Sequence, residues 1–292
     1  MPSTRTARGR AARLREVARL VAAAFQEHDL LTYASAISFR ALIALVPLVL
    51  LGLALLGALG LQDVWYDSLA PALEGRLTEP VFGGITYSVE LIFDSSKGGL
   101  LVFSALLLLW DMTWAVGAVM SALNRIHDVK ERRSWRRLLV TRVGLAAAVI
   151  VCLVGAALVV AVAPTLAEGG LDVVLGIGRW LLAVTLLGLA VGLLVRYGPA
   201  ERPDAKWASA GSAFVIASWI VVSLAFRVFV SSVANFQTAT GTLAVFLVLT
   251  AYVNATATVF LVGAQLDELL RKDTEEGESV GIVQLLRTAF GR

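Results

Sequence analysis

The sequence predicts an all-α polytopic membrane protein with six transmembrane helices, an N-terminal interfacial helix and an extracytoplasmic amphipathic helical hairpin. Six apolar stretches are each long enough to cross about 30 Å of hydrocarbon, which takes roughly 20 residues. Hydrophobic residues make up 58% of the chain and charged residues only 16%, against about 25% charged in a soluble domain. The predicted spans are 38–60, 98–123, 140–164, 179–197, 207–231 and 240–267.

Residues 1–32 are predicted to be a cytoplasmic basic tail that ends in an interfacial helix. Apolar side chains recur there at helical spacing, with arginines on the other face, which is typical of a helix that lies in the membrane interface. No apolar core followed by small cleavage residues is present, so we expect no removable signal peptide. The apolar residues of this helix are Leu14, Val17, Val21, Ala24 and Phe25.

The connection 61–97 carries two apolar stripes, which predict two short amphipathic helices on the outer surface. Residues 78–80, Thr-Glu-Pro, break the pattern between them. A structural cap and a functional lid are both open interpretations of this hairpin. The stripes are Trp65, Leu69 and Leu73 in the first helix, and Val81, Phe82, Ile85, Val89 and Ile92 in the second.

Charge alternates from one connection to the next, which predicts the orientation of the chain. Arginine and lysine crowd the N-terminal tail, the second and fourth connections and the C-terminal tail, whereas the first connection is acidic. By the positive-inside rule, both termini are cytoplasmic. The six-helix membrane domain is therefore expected at 33–270, followed by a cytoplasmic tail at 271–292.

Polar residues inside the spans are the candidates for function, because burying them in hydrocarbon is costly. Asp111 is the foremost, with Arg40 as a plausible partner; a structural ion pair is the alternative interpretation. Asn254 lies among threonines in the sixth span, and Arg227 would meet either headgroups or an anionic substrate. The substrate-binding candidates are Asp111, Arg40, Asn254, Tyr252, Gln265, Arg227, Asn124 and Arg125.

The sequence predicts no enzyme, no cofactor and no metal site. The two histidines, His28 and His127, have no second ligand at zinc-binding spacing, and the single cysteine, Cys152, lies in an apolar span. Phosphate-cradling loops and nucleophile elbows are absent from the sequence. Because membrane topology explains the basic runs, we expect no nucleic-acid partner.

Four short motifs occur in order along the chain, and together they resemble the YihY/BrkB family of bacterial inner-membrane proteins. The resemblance covers about Tyr33 to Asp267. The departures are Arg40 in place of the family's tyrosine, Ala44 in place of serine and Gln265 in place of glutamate. The motifs are Ala34 to Pro47; Ser121 to Ile126; Tyr197, Pro199 and Trp207 with Gly211 and Trp219; and Thr240 to Ala244 leading to Leu261 to Asp267.

The resemblance implies an inner-membrane protein linked to the envelope and to virulence. Some members have been labelled ribonuclease BN, a label that the basic cytoplasmic side of this chain does not support, because a nuclease needs clustered carboxylates that hold metal ions. Two functions stay open: a transporter or flippase of a lipid or anionic amphiphile, and a non-transporting scaffold in envelope assembly. The expected partners are membrane lipids and, for a scaffold, an envelope-assembly protein.

The topology predicts which segments a membrane-impermeant thiol reagent reaches in intact cells. In a Cys152→Ser background, single cysteines within 64–94 should be labelled from outside, and cysteines within 125–137 only after the membrane is opened. External labelling of 125–137 would contradict the orientation.

Overall fold

The computed structural model describes residues 19–74, 79–94, 97–162, 172–201, 210–233 and 239–275. Within these ranges the secondary structure is helical and contains no strand, so the all-α prediction is confirmed. A π-helical segment, Val64–Leu69, leads directly into α3. The helices are α1 (19–27), α2 (Leu30–Leu59), α3 (Ala70–Glu74), α4 (Glu79–Asp94), α5 (Lys97–Ile126), α6 (Trp135–Val162), α7 (Asp172–Tyr197), α8 (Ala210–Val233) and α9 (Ala239–Glu275).

Five of the described helices, α2, α5, α6, α7 and α9, are long and apolar enough to cross a membrane. The fifth predicted span, 207–231, corresponds to α8, whose described apolar part, Phe214–Phe229, is shorter than the roughly 20 residues that a perpendicular crossing needs. The helices extend beyond the predicted spans at one or both ends. The largest extensions are at the start of α2, which begins at Leu30, and at the end of α9, which continues to Glu275. The chain is a polytopic integral membrane protein.

The centre of the bundle is the pair α2 and α5, which pack along each other. On one side α9 packs on α2, and α8 packs on α9; on the other side α6 packs on α5, and α7 packs on α6. One end of the bundle contains the α1–α2 turn, the α5–α6 loop, residues 198–201 and the C-terminal part of α9. We call it the basic end. The core there includes Leu30, Ala34, Leu123, Ile126 and Leu261.

The predicted hairpin packs on the opposite end of the bundle. Trp65 of the π-helical segment and Phe93 of α4 are buried against Leu56 of α2. The fit is close, because a Cβ added at Gly57 would lie 3.1 Å from the Phe93 ring. Leu69, predicted to share the stripe of Trp65, is 38% exposed.

Helices α8 and α9 cross at two glycines, Gly211 and Gly263. A Cβ at Gly211 would overlap the carbonyl oxygen of Gly263, and a Cβ at Gly263 would overlap the Val215 side chain. The close approach lets the Gly211 N–H donate to Asp267 Oδ1 over 2.7 Å. Small residues at such crossings allow helix backbones to pack closely in a membrane.

Gly263→Ala should therefore destabilise the protein. We expect the free energy of unfolding in detergent micelles to fall by about 1–3 kcal/mol, as is typical of an overpacked contact. Gly188→Ala on α7 is the matched control, because a Cβ there meets nothing within 4 Å. Equal stability of the two variants would show that the glycine crossing does not hold α8 on α9.

Candidate functional site

Asp111 lies on α5 among apolar residues and is half-buried. Helical spacing puts it on the same face as Ser104, Ala115 and Ala122, which are all buried. Asp111 makes no hydrogen bond or ion pair with any other residue in the described part of the chain. Its expected partner, Arg40, instead places its guanidinium carbon 5.8 Å from the centre of the Trp114 ring.

Asn254 of α9 lies against α2 within the apolar part of the bundle. Its side-chain amide donates to Ser38 Oγ over 3.1 Å and lies 3.5 Å from Ser35 Oγ. Ser38 is buried, whereas Ser35 is exposed. We call Ser35, Ser38 and Asn254 the α2–α9 polar contact.

The other candidates of the membrane region lie apart from this contact. The Tyr252 hydroxyl is 3.0 Å from Ser223 Oγ, and its ring packs on Phe226 with 4.5 Å between ring centres. Tyr252 thus joins α9 to α8. Arg227, the next residue on α8, is exposed, as is Arg125 at the end of α5.

Glu268 is the centre of an ionic cluster at the basic end, and its side chain is fully buried. Arg271 donates two hydrogen bonds to it, over 2.9 and 2.6 Å. His127 Nδ1 lies 2.7 Å from Glu268 Oε2. Because a carboxylate only accepts hydrogen bonds, this ring nitrogen carries the proton. Glu268 therefore fixes the end of α5 to α9.

The α1–α2 turn joins the same cluster through His28. His28 Nδ1 lies 2.9 Å from Gln265 Oε1, and His28 Nε2 lies 3.5 Å from Asp128 Oδ1. Lys272 donates to Asp128 over 2.8 Å and holds the pKa of this carboxyl below its ordinary value of 3.8. Since the pKa is lowered in the folded protein, this pair stabilises the fold above pH 3.8, and its contribution is lost as the pH falls further.

Asn124 connects the α5–α6 loop to the segment after α7. Its amide group donates to Glu131 Oε2 over 3.2 Å, and its Oδ1 accepts from the Ala200 N–H over 2.7 Å. Arg133 donates to Glu131 over 2.9 Å and to the Gly198 carbonyl over 2.8 Å. Burial opposes ionisation of Glu131, but the hydrogen bonds from Arg133 outweigh it and lower the pKa of this carboxyl.

Sequence reasoning missed Glu268, because it begins a charged run that resembles the start of a solvated tail. It also missed Arg142 and Arg179, which lie at the ends of predicted spans. Each has a buried Nε without a hydrogen-bond partner in the part of the chain that the structure describes, and Arg142 packs against Gly117 of α5. An arginine inside an apolar stretch was the available signal for both.

The apolar helices and the polar groups between them define a polytopic integral membrane protein. The chain belongs to the virulence factor BrkB family, whose model matches residues 21–281, so the resemblance found in the sequence is confirmed. It is also similar to the ribonuclease-like protein YfkH of Bacillus subtilis (strain 168), with 25% identity over 215 residues, 70% of this chain and 76% of YfkH. No solved structure matches the chain.

Glu268→Gln should weaken the fold strongly, because it leaves the buried contacts of His127 and Arg271 without a negative charge. We expect a loss of about 3–5 kcal/mol in the free energy of unfolding in micelles, the usual cost of breaking a buried ion pair. Asp128→Asn removes the more exposed partner of Lys272 and should cost less than about 1 kcal/mol. If both variants lose the same stability, Glu268 is not the centre of the cluster.

Proposed function

We propose that this protein moves a lipid or another anionic amphiphile across the bacterial inner membrane, with both termini in the cytoplasm, as part of envelope homeostasis. The observation that carries the proposal is Asp111. A carboxyl group within an apolar helix is costly, and a purely structural one would be expected to have a partner. Asp111 has none among the described residues, so we assign it a functional role.

The charges around Asp111 suggest which residue binds the anionic headgroup and which binds the accompanying cation. A carboxylate repels an anionic headgroup, so Asp111 is suited to bind a cation that accompanies the amphiphile. Arg40 is suited to the anion, because it stacks on Trp114, one helical turn from Asp111. Arginine binds phosphate and carboxylate groups well while its planar face rests on an aromatic ring.

The α2–α9 polar contact is the second part of the route that we propose for the amphiphile. Asn254 and Ser38 form a polar step inside the bundle, and the exposed Ser35 extends this step to the surface of α2. A headgroup that enters beside α2 would thus form hydrogen bonds with Asn254 in place of those that Asn254 makes with the serines. It would not lie in hydrocarbon without a polar partner. This favours lateral entry from a leaflet.

Transport predicts that two substitutions stop lipid movement without unfolding the protein. In vesicles that contain the purified full-length chain, Asp111→Ala and Asn254→Leu should each slow the transfer of a fluorescent anionic phospholipid between leaflets by at least about tenfold, a barrier increase of about 1.4 kcal/mol. Transfer is measured by the loss of fluorescence on adding an external reductant, with and without a pH gradient.

Asp67→Ala is the matched control and should leave transfer unchanged. Asp67 is an exposed carboxylate at the end of the bundle opposite the basic end. A scaffold would move no lipid under any gradient, and both variants would still complement an envelope defect. That result would replace transport by the scaffold function. Release of RNA fragments by the purified protein would instead support the name given to YfkH.

A further inference from the structure

The α5–α6 loop forms one wall of an open cavity of about 480 Å³ at the basic end. The cavity lies where α6 begins, between this loop and the segment that follows α7. Among the described residues, four of its lining side chains are basic and one is acidic. The lining residues are Lys130, Arg132, Arg133, Ser134, Arg137, Ala200 and Glu201.

The wall of this cavity is held in place by hydrogen bonds. The Val129 N–H donates to the Asn124 carbonyl over 2.9 Å, and Asp128 adopts a left-handed backbone conformation with φ of 53°. Arg133 is held by Glu131 and by the Gly198 carbonyl. The loop is therefore ordered before any ligand binds, which lowers the entropy cost of binding.

The charge of the cavity is strongly positive. Glu131 is already paired with Arg133, and among the described residues Glu201 is the single carboxylate of the lining. Neither Arg132 nor Arg137 makes a side-chain hydrogen bond or ion pair within the described ranges. Both guanidinium groups are available to an anion, and the first amide groups of α6 add a weaker attraction.

A second open cavity of about 440 Å³ lies beside the first, along the first turns of α6. It shares Arg133 and Arg137 with the first cavity and is also lined by Val140 and Thr141. Val140 is 72% exposed and Trp135 is 70% exposed. An exposed tryptophan at the start of a span is typical of the headgroup level, so the basic groups lie where phosphates of the leaflet lie.

We propose that these two cavities form a binding site for the phosphate-bearing headgroup of an anionic phospholipid, whose acyl chains lie against Val140 on α6. Arginine forks match phosphate oxygens in two-point contacts, and the apolar surface beside them favours a lipid over a free phosphate. The site does not depend on transport, because a protein that moves no lipid would still bind one here.

The test is a binding titration of the delipidated, full-length protein in neutral detergent, followed by native mass spectrometry. We expect phosphatidylglycerol to bind more tightly than phosphatidylcholine. The double variant Arg132→Gln/Arg137→Gln should raise the dissociation constant for phosphatidylglycerol at least about tenfold, as expected for the loss of charge-assisted contacts. Arg196→Gln, an exposed arginine of the same end that does not line either cavity, should change it less than about twofold.

Thermal unfolding of both variants shows whether the fold is intact. Within the described ranges, the side chains of Arg132 and Arg137 make no hydrogen bond or ion pair that the fold would lose. Equal binding of phosphatidylglycerol by the double variant and the wild-type protein would overturn the site. Equal binding of phosphatidylcholine and phosphatidylglycerol would also overturn it. Displacement of the lipid by equimolar glycerol 3-phosphate would assign the cavities to a soluble phosphate and overturn the lipid proposal.

Discussion

The buried carboxylate of Glu268 is the contact on which the basic end depends. It lies near the end of α9 and binds Arg271 on its own helix and His127 at the end of α5. The neighbouring pairs of His28 with Gln265 and Lys272 with Asp128 bring the α1–α2 turn and the loop to the same place. A negative charge without water is stable only when its acceptor sites are filled, so these segments must stay together.

The α5–α6 loop links the contacts of Glu268 to the two cavities at the basic end. Asn124 and Asp128 fix the start of the loop, and Glu131 then positions Arg133 against the Gly198 carbonyl. Arg132 and Arg137, which have no side-chain hydrogen bond or ion pair among the described residues, are therefore presented by a rigid wall beside the start of α6. In the same bundle Asn254 and Ser38 supply a polar contact farther from the basic end. Positive charge at the interface and polar groups inside the membrane both suit an anionic amphiphile.

Much of the fold could be predicted because the hydrocarbon thickness sets the length of each span. The hairpin was predictable from its apolar stripes, which bury Trp65 and Val89 as expected. The sites were harder to predict. Gln265 was a candidate for the interior, yet its partner is His28, 237 positions earlier in the chain. No local pattern specifies such a pair, and the stacking of Arg40 on Trp114 rather than beside Asp111 likewise depends on helix rotation.

Helix ends were also difficult to place from composition. The charged residues after Leu270 suggested a tail, but α9 continues to Glu275, and Glu268 and Lys272 near its end have partners on other segments. A prediction from local polarity therefore underestimated the length of α9, because it takes no account of tertiary ion pairs. The same limit applies to Asn124, whose role became apparent only when residues 198–201 were placed beside it.

The proposed transport requires that an anionic lipid reaches the polar groups between α2 and α9. It is tested most directly by photo-crosslinking a diazirine-bearing phosphatidylglycerol to the reconstituted full-length protein and mapping the adducts by mass spectrometry. We expect adducts around Ser35 and Asn254. Unlabelled phosphatidylglycerol should suppress these adducts, and phosphatidylcholine should not. Adducts confined to exposed side chains such as Leu247, with no effect of the competing headgroup, would contradict it.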